Sequence, residues 1–228
     1  MTLQLYGHPF SSYTWKTLIP LYENATPFEF INVDPAFPEA MPRLLTLWPM
    51  GKFPLLVDGG RAVMESSIII EHLQIHYPGP MRLIPEEPKA ALKVRKLDRI
   101  FDNHVMTPMQ RIVADALNPP ERRDPTDVEG AKAALDKAYG WLDAWMDGWE
   151  WAAARQFSLA DCAAAPSLFY ADWVHEIPQH LANLRAYRAR LLARPSVARA
   201  VDEARPYRAY FPLGAPGRQA ASTRGAAG

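Results

Sequence analysis

The 228-residue sequence predicts two structural halves, an α/β domain over residues 1–78 and an all-helical domain over residues 89–211. Three observations carry this. Apolar runs of strand type at residues 2–7, 28–33, 53–58 and 61–64 are interleaved with stretches of helical spacing. A segment at 79–88, containing Pro80, Pro85 and Pro88, reads as a linker. Beyond it, apolar residues recur every three to five positions with no strand pattern.

In the first half, Leu3 and Leu5 alternate until Gly7-His8-Pro9 breaks the strand. Trp15, Leu18, Ile19 and Tyr22 predict a helix from Ser12, with Pro20 bending its later turn. Residues 28–33 alternate as a second strand, and 38–47 form an irregular helix. Pro54 opens a third strand, where its missing N–H need not serve a central ladder, and Asp58-Gly59-Gly60 signals a hairpin turn into a fourth. A helix then runs to Tyr77. The order β-α-β-α-β-β-α is that of a thioredoxin-like domain. On spacing alone, Phe53-Pro54 is a trans bond and Ser66 is a helix N-cap beside acidic Glu65.

In the second half, Leu97, Phe101, Val105, Met109, Ile112 and Leu117 predict one long helix kinked at Pro108. Val128, Ala131, Leu135, Tyr139, Leu142 and Trp149 predict an antiparallel partner. Ser158 and Asp161 have capping-box spacing, and Phe157 against Cys162 has that of a hydrophobic staple. Cys162 therefore has a packing role. Trp141, Trp145, Trp149, Trp151 and Trp173 read as core or helix contacts, of which one or two could wall an apolar pocket. Helices at 181–192 and 197–204 follow, and residues 212–228 are expected to be disordered.

Composition excludes several functions. Lysine plus arginine balances aspartate plus glutamate at 25 each, so no electrostatic partner such as nucleic acid or an anionic membrane is implied. No apolar run approaches the ~20 residues of a membrane span. The opening Leu3-Gln4-Leu5-Tyr6 does not read as a targeting segment. With a single cysteine and no internal disulfide, a cytoplasmic protein is expected. The six histidines show no metal-ligand spacing with carboxylates, so no metal site is expected.

The run Lys52-Phe53-Pro54-Leu55-Leu56, then Asp58-Gly59-Gly60, then Glu65-Ser66-Ser67-Ile68-Ile69-Ile70-Glu71-His72-Leu73 resembles the glutathione-binding half of the cytosolic glutathione S-transferases. The resemblance extends over about residues 1–211, and the Ser-Leu-Ala-Asp box at 158–161 also belongs to it. It implies that Pro54 is cis, that Phe53 pairs its backbone with the cysteinyl part of glutathione, and that Glu65 and Ser66 hold the γ-glutamyl end. Ser11-Ser12-Tyr13-Thr14-Trp15-Lys16 is similar to the Ser-Ser-Cys-Ser-Trp-Arg run of the zeta class, whose first serine activates the thiol. The match makes Ser11 the candidate catalytic residue, as in serine-type members of zeta, phi-like and bacterial kinds, with Tyr13 where that class has cysteine. A homodimer is implied, with a small apolar electrophile as second substrate.

The chemistry asked of Ser11 is modest. A thiol of pKa about 8.5 is mostly protonated at pH 7, and a depression of about two units would make it mostly thiolate. That requires roughly 2.7 kcal/mol, within reach of one hydroxyl hydrogen bond to a charged sulfur, about 1.5–3 kcal/mol, and a helix N-terminus. Ser12, Tyr13 and Thr14 carry competing hydroxyls, and Ser11 or Ser12 could simply cap the helix. Tyr6 is read as core. The cation that some classes place before the Lys52 position is missing, leaving Lys52 or Arg43 for the glycyl carboxylate. Phe10 and Tyr13 could line the electrophile pocket. Asp102 and His104 read either as helix-face residues or as contributors to that pocket or to a partner's site. The same site would serve a glutathione-dependent isomerase, dehalogenase or peroxidase, and the fold is also compatible with a non-catalytic interaction protein.

Overall fold

The computed structural model describes residues 2–153 and 155–216. The first half consists of β1 (Leu3–Gly7), α1 (Ser12–Glu23), β2 (Phe28–Asn32), α2 (Ala40–Leu47), β3 (Leu55–Asp58), β4 (Arg61–Val63) and α3 (Ser66–His76). The sheet order is β2-β1-β3-β4, with β1 parallel to β2 and β3 antiparallel to both β1 and β4.

The alternation of β1 fixes both faces of this sheet. Leu3 and Leu5 pack with Leu18 and Leu21 of α1 and Ile69 and Leu73 of α3. Tyr6, on the opposite face, packs with Val33, Leu44, Leu55 and Val57. Helices therefore cover both sides. Gly59 and Gly60 turn the β3–β4 hairpin at φ 56° and 85°, the pair of positive values that a tight hairpin matching strand twist demands. Helix α1 continues through Pro20 to Glu23.

Residues 77–87 connect the halves and are stitched down on both sides. Asn24, at the end of α1, accepts the Met81 N–H and donates to the Met81 carbonyl, while Gln74 of α3 accepts the N–H groups of Leu83 and Ile84. Leu83 and Ile84 are buried.

The helical half comprises α4 (Pro88–Ile100), α5 (Thr107–Leu117), α6 (Pro125–Trp145), α7 (Leu159–Val174), α8 (Ala182–Ala193) and α9 (Pro195–Ala204). A π-helical segment, Phe101–Met106, joins α4 to α5, and a 3-10 segment, Arg205–Tyr210, follows α9. The irregularity expected at Pro108 thus lies one turn earlier. Proline removes one backbone bond and crowds the carbonyl four residues back, and the widened turn absorbs both while Pro108 enters the first turn of α5.

Helix α7 is the axis of this half, buried from Leu159 to Ala171. Its start follows the capping box, and Asp161 does more than cap. The carboxylate accepts the Ser158 N–H and hydroxyl, each at 2.8 Å, the Ala152 N–H at 2.9 Å and the Tyr187 hydroxyl at 2.6 Å. Cys162 is fully buried and free, and burial pushes its thiol pKa up, away from reactivity.

The tryptophan expectation needs correction. Trp151 is buried, but Trp141 and Trp149 are 44% and 41% exposed. Trp141 stacks on Trp145, and Lys93 lies 3.8 Å over the Trp149 ring, which accounts for aromatic rings held in water. Ala215 packs against the helical core, and the disorder expected for residues 217–228 lies outside the described residues. Among the described residues, no helix is long and apolar enough to cross a membrane.

Candidate active site

The loop between β1 and α1 is held from several directions. His8 accepts the Phe10 N–H at Nδ1 (3.1 Å), so its Nε2 carries the proton and donates to Asp34 Oδ2 at 3.0 Å. The Ala36 N–H and then His8 hold the Asp34 carboxyl below the usual range. Thr14 Oγ1 accepts the His8 N–H, and it packs so close to Gly7 that a β-carbon there would lie 2.6 Å from the Thr14 methyl. Trp15 Nε1 donates to the Pro9 carbonyl at 2.6 Å.

Ser11, at the end of this loop, is the N-cap of α1. Its hydroxyl oxygen accepts the Thr14 N–H at 3.3 Å, a bond that leaves the O–H proton free to donate elsewhere. Capping and donation are compatible in one residue.

Ser11 forms part of the wall of a cavity of about 500 Å³ together with Tyr13, Lys52, Phe53, Pro54, Glu65, Ser66 and Asp102. Trp48, Gly51, Arg99, Asn103 and Gln110 complete it. The Phe53-Pro54 bond is cis, against the reading from spacing and in line with the resemblance. Ser66 is also corrected: it is the first residue of α3 rather than its cap, and Glu65 takes the cap position at φ 68° without a side-chain cap bond.

A glutamate at positive φ is a strained choice, costing about 1–3 kcal/mol. Glu65→Gly is therefore expected to be more stable to urea than Glu65→Ala by about 1 kcal/mol, because alanine keeps the strain and glycine does not. Equal midpoints would mean that the backbone relaxes once the carboxylate is gone.

A second cavity of about 210 Å³ adjoins the first, since Ser11 and Gln110 line both. Its wall is chiefly apolar, from Phe10, Met109, Val113, Leu117, Tyr170 and Phe211, with Ser12 also present. The Tyr170 hydroxyl donates to the Phe10 carbonyl at 2.9 Å and ties this wall to α7. His104 lines neither cavity. It is exposed beside Trp141 in a separate groove, because the π-helical segment turns it away from Asp102. Arg43 is exposed and is absent from both walls, leaving Lys52 as the cation of that pair on the site.

Asp102 departs most from its reading as a solvated face. It is 4% exposed, and its carboxylate meets Lys16 Nζ at 2.7 Å as well as Arg99. Lys16, 1% exposed, also meets Asp98 Oδ1 at 2.6 Å and donates to Ser67 Oγ at 2.9 Å. Burial pushes the Asp102 carboxyl up, and Lys16 opposes that rise. One Asp102 oxygen, Oδ1, has no hydrogen-bond partner among the described residues. His8, Asp34, Lys16 and Arg99 had no role in the sequence reading. Only the parallel register of β1 with β2, Gly7 opposite Asn32, brings Asp34 near His8.

A small mixed sheet with a loop-to-helix hydroxyl, followed by a helical half that closes a polar and an apolar cavity together, defines a protein with a thioredoxin-like domain joined to an all-helical one. Comparison with known families agrees. Residues 5–81 match the family described as glutathione S-transferase, N-terminal domain, and residues 102–195 match its C-terminal domain. The chain belongs to the glutathione S-transferase family. It is 30% identical over 207 residues to a glutathione S-transferase of Silene vulgaris, covering 86% of this chain and 95% of that one. To the stringent starvation protein A homolog of Coxiella burnetii it is 27% identical over 203 residues, covering 88% and 92%. A solved glutathione S-transferase of Methylobacillus flagellatus with glutathione bound shares the fold at TM-score 0.76 and 23% identity, covering 87% of this chain and 98% of that one.

Proposed function

We propose that this chain is a glutathione transferase that binds glutathione in the polar cavity and an apolar electrophile in the adjoining one. The observation that carries the proposal is the position of Ser11, whose side chain stands where the two cavities meet. A thiol held there is within reach of one hydroxyl donor and the N-terminal end of α1. The Ser11 O–H stabilises the thiolate, and the thiol proton leaves to solvent. The sulfur forms a bond to the electrophilic carbon beside Phe10 and Phe211 as that carbon's bond to its leaving group breaks and the group departs to solvent with the electron pair.

Phe53 and Pro54 position the cysteinyl part, and Glu65 with the first N–H groups of α3 holds the γ-glutamyl end. Lys52 takes the glycyl carboxylate. The reading places the glutathione half at residues 1–78 and the electrophile wall chiefly at 89–211. Exposed Ile68 and Ile75 on α3 and Leu92 on α4 supply an apolar face for a homodimer, and the lone buried cysteine suits a cytoplasmic setting.

The test is an ultraviolet titration of the bound thiol. A thiolate band that appears about two pH units below that of free glutathione supports the proposal. Binding without such a shift favours the non-catalytic reading.

Tyr13 is the competing donor. Burial foremost, with the charge of Asp102, pushes its phenol pKa up to about 12, so it stays protonated at neutral pH. Tyr13→Phe is expected to keep turnover within about threefold of the parent, a change below 1 kcal/mol in transition-state stabilisation. A loss of the size argued below for Ser11 would transfer the activating role to Tyr13.

A further inference from the structure

A third cavity, of about 570 Å³, shares no wall residue with the two already described. It lies between the end of α7, α8 and the 3-10 segment after α9. Four arginines, Arg185, Arg188, Arg205 and Arg208, stand in its wall against two carboxylates, Asp172 and Glu176. Asp202, behind the wall, takes Arg205 at 2.7 Å, and the wall keeps a positive excess.

The arginines are not spent on one another's partners. Arg188 donates to the Leu168 carbonyl and meets Asp172 at 2.9 Å. Arg185 donates to the Ile177 carbonyl and stands 3.9 Å from Glu176, too far for a hydrogen bond. Arg208 lies over the Trp173 ring, 5.6 Å from its centroid, and has no hydrogen-bond acceptor among the described residues. Each guanidinium has five N–H donors, so most of those on Arg185 and Arg208 are uncommitted. Burial foremost works against the ionised form of Arg188, Asp172 offsets part of that and Arg185 adds to it, and an arginine cannot shed its proton to escape the remaining cost. An anion in the cavity would remove it.

The cavity is far larger than a bare ion needs and falls within the range of small-molecule sites. Its apolar wall, Phe169 and Trp173, offers a surface for an organic part. Guanidiniums arriving from two different elements suit a tetrahedral head with three terminal oxygens better than a planar carboxylate. We propose that this cavity is a second ligand site for a small phosphate monoester, its dianionic head on Arg185, Arg188 and Arg208 and its organic part on Trp173 and Phe169. The site is independent of the transferase reading.

Calorimetric titration of the full chain with phenyl phosphate at pH 8, where the monoester is a dianion, tests this. One equivalent is expected to bind, about tenfold more weakly in Arg208→Ala and in Arg185→Ala, with glutathione affinity unchanged in both. Binding is expected to weaken as the pH falls through about 6, where the monoester takes up a proton. Absence of binding at millimolar phenyl phosphate would overturn the proposal, as would affinity in both variants unchanged from that of the parent. Displacement by glutathione would place the probe in the first cavity and refute the second site. Phenylacetate binding as tightly as phenyl phosphate would refute the phosphate assignment.

Discussion

Replacing Ser11 with alanine is expected to lower kcat/KM for thiol conjugation at pH 7 by about 100-fold, the scale at which loss of one preorganised donor to a developing or resident anion is felt. Glutathione affinity at pH 7 should fall only about fourfold, the linkage consequence of losing a two-unit depression of the bound thiol's pKa. The pH profile carries the diagnosis. The parent should already be on its plateau near pH 7, whereas the variant should gain tenfold per pH unit until the unassisted thiol ionises near 8.5. Ser11 is also the cap of α1, so Ser11→Ala should cost about 1 kcal/mol of stability as well. Ser11→Gly separates the two roles. Glycine is a fair N-cap, within a few tenths of a kcal/mol of serine, yet has no hydroxyl. Recovered stability with activity still lost assigns the chemistry to the hydroxyl, and recovery of both would reduce Ser11 to a cap.

What the sequence shows of this molecule is whatever local chemistry decides. Asp58-Gly59-Gly60 demands a tight turn, and Ser158 with Asp161 announces the start of a helix whichever fold surrounds it. The apolar periodicity placed the four strands, α1, α3 and the helical stretch that carries Asp102 and Gln110, because burial of one face requires it, whereas α7 was marked by its capping box and the 3-10 segment at Arg205–Tyr210 was not foreseen. Other features depend on partners distant in the chain. A lysine at position 16 is expected in water, since lysine is seldom fully buried unless paired, and its carboxylate partners lie more than eighty residues away. The burial of Asp102 was hidden for the same reason. The widened turn at Phe101–Met106 that carries it inward has no signature beyond Pro108. His8 was legible only as a strand breaker, because its carboxylate partner arrives through strand pairing. The positive φ of Glu65 is likewise silent, since the residue type that normally marks that conformation, glycine, is absent.

Lys16→Met is expected to destabilise the protein by about 3–5 kcal/mol at pH 7, the cost of removing one partner from a buried ion pair. With Asp98, Asp102 and Arg99, Lys16 makes a group of two cations and two carboxylates knotted through Ser67. Without it, the two carboxylates keep, among the described residues, Arg99 as their one remaining cation, and Arg99 is half exposed. The deficit should depend on pH with a definite sign. Burial already holds the folded Asp102 pKa above its unfolded value of 3.8, and loss of Lys16 raises it further. Between 3.8 and that raised value the folded state binds a proton that the unfolded state does not, so stability increases as pH falls through this window. Urea midpoints for Lys16→Met should therefore lie closer to those of the parent at pH 5 than at pH 7. Adding Asp102→Asn should recover part of the pH 7 loss, because it removes the charge left unpaired. An equal deficit at both pH values, or no recovery in the double variant, would mean that Lys16 acts through packing of its long stem rather than its charge. A loss of 3–5 kcal/mol is a large share of the 5–15 kcal/mol that holds a domain folded. Because α1 brings the lysine and the helical half brings both aspartates, that share also sets how firmly the β1–α1 loop is held against the helical half.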